Sequence, residues 1–200
     1  MRRGCEKSGA EYDYANVQSL IKDGLPGREL GGSAGRTYVS LIDSGVKFRG
    51  WEGNVLDEAG FFSLLKEAGV NYVRIRVWNN PYADAEKKQG YGAGNCDVEK
   101  AARMGKWATD AGLKAMIDFH YSDFWADPGR QVKPKAWKDY TAEQKATAVG
   151  IFTREILNTI IAAGTDVGMV QVGNETTTAV CGETDWAQMA KIFKAGWTAG

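Results

Sequence analysis

With 200 residues, 44% of them hydrophobic and 25% charged, the chain has enough apolar content for one sizeable core, which argues against a disordered polypeptide. Its 25 Lys and Arg balance its 25 Asp and Glu, so no global field concentrates a polyanion. A nucleic-acid partner is therefore not expected, and a neutral ligand fits better. Three distant cysteines and a single histidine, His120, argue against a disulfide framework or a metal site, and no cofactor is expected. Met1-Arg-Arg-Gly-Cys-Glu6 runs on without an apolar stretch, so neither a signal peptide nor a membrane span is read here. Seven Trp and eight Tyr are plentiful, and their flat rings suit the apolar faces of sugars as well as they suit a core.

Taken along the chain, residues 1–35 read as an N-terminal arm, because glycines at 24, 27, 31, 32 and 35 interrupt every periodicity. Residues 36–200 read as one domain. Tyr38 to Ile42 is expected to be a first strand. Asp57 to Ala68 is a helix that places Phe61, Leu64, Leu65 and Ala68 on one face. Ala68-Gly69 ends that helix, since glycine just past a helix takes the left-handed conformation that closes the last turn. The apolar segment Val73-Arg-Ile-Arg-Val-Trp78 follows as a strand. The unit then repeats. A helix from about Asp97 to Ala111 ends in Ala-Gly and leads into Leu113-Lys-Ala-Met-Ile-Asp-Phe-His120. Thr141 and Gln144 form a capping box for a long helix stacking Val149, Phe152, Ile156 and Ile160. Ala163-Gly164 closes it and leads into Val167-Gly-Met-Val-Gln-Val-Gly-Asn-Glu175. Strands alternating with helices imply an α/β fold with parallel neighbours.

Strand parity locates the chemistry. Val73, Ile75 and Val77 point one way and Arg74, Arg76 and Trp78 the other; Asp118 and His120 likewise oppose Ala115, Ile117 and Phe119. Charges aimed at an interior must pair with one another or line a wet cleft. These groups gather at the C-terminal ends of successive strands, where barrel and doubly wound sites lie. The third strand ends in Asn174-Glu175 after an apolar run. A carboxyl enclosed by such surroundings keeps its proton near neutrality and can give it to a glycosidic oxygen.

Val73-Arg-Ile-Arg-Val-Trp-Asn-Asn-Pro-Tyr82, Asp118-Phe-His-Tyr-Ser-Asp-Phe-Trp-Ala-Asp-Pro128 and Gly168-Met-Val-Gln-Val-Gly-Asn-Glu175 resemble the arabinogalactan endo-β-1,4-galactanases of glycoside hydrolase family 53. Lys133-Pro-Lys-Ala-Trp137 and the Gly90-Tyr-Gly-Ala-Gly-Asn95 loop are similar too, so the resemblance covers roughly residues 45 to 200. It implies a retaining hydrolase on a (β/α)8 TIM barrel, of which this chain supplies about the first four units, acting on β-1,4-galactan outside the cell. Glu175 matches the family's general acid/base. Arg76, Trp78, Asp118, His120, Trp125 and Asn174 fall where the family binds sugar, with Arg74 supporting them. No position matches the nucleophilic glutamate. Where the family opens strand one with glycine, aspartate and serine, this chain reads Gly35-Arg-Thr-Tyr-Val-Ser40, with Tyr38 in place of the aspartate.

Two other readings remain open. A non-catalytic carbohydrate-binding protein would use the same aromatic and polar strand ends without cleaving anything. A doubly wound nucleotide-binding protein is disfavoured, because no strand-to-helix turn carries a glycine-rich phosphate loop.

Overall fold

A computed structural model describes residues 14–15, 38–84, 86–87, 89–90 and 95–200. The rest of the N-terminal arm and most of the Gly90 to Asn95 loop lie outside the described residues.

Four parallel strands form the central sheet: β1 (Tyr14–Ala15), β4 (Tyr72–Val77), β7 (Lys114–Phe119) and β8 (Val167–Val172), in that order. Two small antiparallel ribbons flank it, β2 (Phe48–Arg49) with β3 (Val55–Leu56), and β5 (Tyr82–Asp84) with β6 (Gln89–Gly90). Helices α1 (Tyr38–Asp43), α2 (Glu58–Glu67), α3 (Val98–Asp110), α4 (Ala142–Ala162) and α5 (Trp186–Ala199) complete the order, with a 3-10 turn at Lys135–Trp137.

The helices begin where the sequence supplies caps. Asp57, Asp97 and Asp185 each accept from a backbone N–H in the first turn of α2, α3 and α5, and Thr141 with Gln144 closes the expected capping box on α4. Helices α2, α3 and α4 end at glycines 69, 112 and 164, whose φ angles of 92°, 77° and 96° strongly favour a residue without Cβ. On α3 the buried positions are Ala101, Met104, Gly105 and Ala108, one helical stripe laid against the sheet. The strands present Val73, Ile75 and Val77, and Ala115, Ile117 and Phe119, to that same layer, all without solvent exposure.

One expected element is corrected. Tyr38 to Ile42 is not a strand: it lies in α1, and the strand that pairs with β4 is Tyr14–Ala15 within the arm. Tyr38, Val39, Ser40 and Leu41 are all buried. Such an unbroken buried run carries no periodicity to separate strand from helix. Its environment decides: Tyr38 stacks on Phe61 at 4.3 Å and meets Phe48, Phe62 and Trp107 in an aromatic cluster outside the sheet.

Helix α5 reaches the sheet through Gly196. A Cβ there would stand 2.5 Å from Val172 Cγ1 and 2.8 Å from the Tyr121 hydroxyl, closer than packed atoms allow. Gly196→Ala is therefore expected to destabilise the chain by about 1–3 kcal/mol through overpacking. Urea unfolding should show a lower midpoint with an unchanged slope, and an unaltered midpoint would refute this packing.

Candidate active site

The site grows from the C-terminal ends of β4, β7 and β8. Register places Arg76, Asp118 and Gln171 side by side on three neighbouring strands, with Arg74, Met116 and Met169 one layer below. Asp118 has no solvent exposure, and it is ringed by cations and donors. Arg74 Nη2 lies 2.7 Å from its Oδ2, His120 Nε2 3.4 Å and Arg76 Nε 4.0 Å. A buried carboxylate survives only with such partners, so the paired-charge expectation for Arg74, Arg76 and Asp118 is met. Burial, and then repulsion from Arg74, pull Arg76 below its ordinary pKa against the opposing pull of Asp118.

His120 follows directly after β7. Its Nδ1 accepts from Ala126 N–H at 3.0 Å, which puts the ring proton on Nε2, facing Asp118. Burial lowers its pKa, with Asp118 pulling the other way, so the ring is neutral and works as a pin for the loop. That loop is fixed further by Asp123, whose buried carboxylate accepts from Asn80 N–H at 3.0 Å and Lys135 N–H at 2.8 Å. Trp125 is half-buried on the same loop, with the Arg76 guanidinium 4.8 Å from its ring centroid.

Trp78 departs from expectation. Strand parity ends at Val77, and Trp78 N–H donates to Cys96 O, so its direction is set by the next segment instead. The indole is 1% exposed and meets Trp125 edge-on at 5.5 Å, so it presents no open ring face among the described residues.

Beyond β8 the backbone turns sharply. Glu175 is one of three described non-glycine residues with positive φ, at 49°; the others are Tyr121 and Cys181. Holding an L-residue there costs about 1–2 kcal/mol, which neighbouring contacts must offset. Asn174 supplies some of them: its Oδ1 accepts from Arg74 Nη2 and its Nδ2 donates to Ala126 O at 2.6 Å. Both ends of the amide thus hold protein, with a second N–H on Nδ2 and a second lone pair on Oδ1 beyond these two contacts. Gln131 Nε2 donates to Asn174 O at 2.8 Å and to Glu175 O at 3.3 Å. The Glu175 side chain is exposed, so the apolar enclosure expected around it is not formed by the described residues. The segment after it is anchored by Glu183, which pairs with the buried Lys145 on α4.

Parallel strands, alternating helices and polar groups gathered at the strand ends are the arrangement of the catalytic face of a β/α-barrel. Comparison with known proteins makes this specific. The glycosyl hydrolase family 53 profile matches residues 32–200, and the chain belongs to that family. It is 46% identical over 180 residues to the endo-beta-1,4-galactanase of Bacillus subtilis, covering 90% of this chain and 40% of that protein. It is 32% identical to the arabinogalactan endo-beta-1,4-galactanase of Cellvibrio japonicus, covering 80% and 42%. Among solved structures, the Ignisphaera aggregans GH53 catalytic domain superposes with a TM-score of 0.74 at 33% identity, covering 88% of this chain and 49% of that one. The chain thus spans about two fifths of the length of these curated relatives and half of that solved domain.

Sequence reasoning did not single out Gln131 or Gln171. Gln171 alternates with Val170 and Val172, and its Nε2 donates to Gly173 O at 3.0 Å. Parity with Asp118 was the available signal for it. Gln131 lies in a loop and had none.

The lone histidine permits a direct check of the site's electrostatics. A base whose pKa falls on folding adds stability that is complete above its unfolded value, about 6.5, and is lost as pH drops through the folded value. The His120 ring should stay neutral by NMR while pH is lowered through 6.5, and unfolding free energy should decline across that range. An ordinary titration near 6.5 would contradict the buried, neutral ring.

Proposed function

We propose that the protein carrying this chain is a secreted endo-β-1,4-galactanase that cleaves internal bonds of galactan with retention, using Glu175 as general acid/base. The observation that carries this reading is the placement of Glu175 at the end of β8, its backbone held in the left-handed region beside the paired charges of β4 and β7. The printed activities of the Bacillus subtilis and Cellvibrio japonicus relatives support the substrate. Glu175 protonates the leaving glycosidic oxygen as the C1–O bond breaks and a second carboxylate attacks C1. As a carboxylate, Glu175 then takes a proton from the water that attacks C1 and frees the nucleophile. Retention needs that second carboxyl about 5–5.5 Å from the first. Asp118 is committed to Arg74, Glu183 to Lys145, and Asp123 to two backbone N–H groups. We assign the nucleophile to none of them and place it outside these 200 residues.

Trp125, which meets Trp78 edge-on and carries the Arg76 guanidinium over one ring face, offers its opposite face to a galactose unit. No described helix is long and apolar enough to cross a membrane.

Two outcomes follow. In a completed barrel, with this chain continued after Gly200 by the C-terminal part of the Bacillus subtilis relative, Glu175→Gln should lower hydrolysis of unactivated galactan by about 10²- to 10⁴-fold. Near-normal reducing-end release by that variant would remove Glu175 from the role. The 200-residue chain alone should release no reducing ends at a rate comparable to the completed barrel, since each missing catalytic group costs orders of magnitude. Robust turnover by a monomeric 200-residue chain would overturn the external nucleophile. If the completed barrel binds galactan fragments by calorimetry without cleaving them, the non-catalytic carbohydrate-binding reading is favoured instead.

A further inference from the structure

We infer that Gln131 is a positioning residue for the acid, holding the backbone of Glu175 so that its carboxyl meets the glycosidic oxygen; this rests on the assignment of Glu175 above. Gln131 follows the Asp127 to Arg130 turn in the loop after β7, and it is 9% exposed. Its amino group reaches three backbone carbonyls: Asn174 O at 2.8 Å, Asp127 O at 3.1 Å and Glu175 O at 3.3 Å. The first and last flank the Glu175 nitrogen and α-carbon, the atoms whose rotation defines the left-handed turn. Asn174, held by Arg74 and Ala126, fixes the residue before the acid. Gln131 acts one residue further on, at Glu175 itself.

The other end of the amide strengthens the case. Gln131 Oε1 is buried and makes no hydrogen bond among the described residues. A buried acceptor without a partner is a penalty that a methionine of similar length would avoid. The side chain is therefore explained by its donors, and two of the three carbonyls they reach belong to the turn that aims Glu175. A displacement of about 1 Å in such a group can cost 10²-fold in rate, so the backbone clamp bears directly on proton transfer.

The test uses two substrates of the completed barrel. The group that leaves from galactan is a sugar alkoxide that needs a proton, whereas the group that leaves from a dinitrophenyl β-galactobioside is a stable phenolate that needs none. Gln131→Met should lower kcat/KM on galactan roughly 10- to 100-fold while leaving kcat/KM on the aryl substrate within about threefold. The ratio of the two is independent of how much protein is folded, so a merely structural role would leave it unchanged. Gln131→Glu should show the same selective loss at neutral pH, where a carboxylate opposes the carbonyls. The loss should shrink as pH falls and the carboxyl gains a proton to donate; Gln131→Met should show no such recovery. Equal losses on both substrates, or no loss, overturn the inference. Glu175→Gln run in parallel separates the levels. If it keeps galactan activity, the acid assignment itself fails. If it loses galactan selectively while both Gln131 variants do not, only the positioning role fails.

Discussion

A fully buried carboxylate, Asp118, is the constraint around which this site is arranged. A charge at the centre of a sheet tolerates no vacancy among its partners, and removing one partner of a buried pair typically costs about 3–5 kcal/mol. Arg74, Arg76 and His120 stand 2.7, 4.0 and 3.4 Å from its Oδ2, so its charge is offset by ion pairing while neither oxygen makes a hydrogen bond within the described residues. Each partner then has a second engagement. Arg74 holds Asn174, Arg76 covers Trp125, and His120 pins Ala126, whose carbonyl returns to Asn174. Satisfying one charge thereby fixes two loops and the residue before the acid.

The fold supplies the registration. Parallel pairing sets Arg76, Asp118 and Gln171 level, and the helices return the chain so that all three strands finish at the same end. Strain is concentrated where the chain leaves them: Tyr121, Glu175 and Cys181 are all left-handed, and each lies in a segment following β7 or β8. The turn at Glu175 is held by neutral hydrogen bonds to carbonyls together with the charged bond from Arg74 to Asn174.

Much of this was legible in the sequence because its cause is local. Helix ends at the three Ala-Gly pairs follow from glycine's access to positive φ, and the capping box at Thr141 from adjacent hydrogen-bonding groups. The pairing of Arg74 with Asp118 followed from alternation along two strands. What could not be read depends on distant neighbours. Tyr38 to Ile42 is apolar enough for a strand, and only its aromatic partners on α2 and α3 make it a helix. The direction of Trp78 is decided by Cys96, and the grip of Gln131 by a turn more than forty positions away. The exposure of Glu175 depends on what stands beside β8, which pairs only with β7 among the described residues.

The contacts that orient Glu175 are also ordered in time. Arg74 precedes Asn174 by 100 residues, Ala126 by 48 and Gln131 by 43. At about 5–20 residues per second on the ribosome, Arg74 is made roughly 5–20 s before the residue it receives. The frame is therefore synthesised first and the acid delivered into it, without waiting for later sequence to supply those particular bonds. A stall between residues 131 and 174 would leave the carbonyl-binding amide of Gln131 and the Arg74 guanidinium short of the turn they hold.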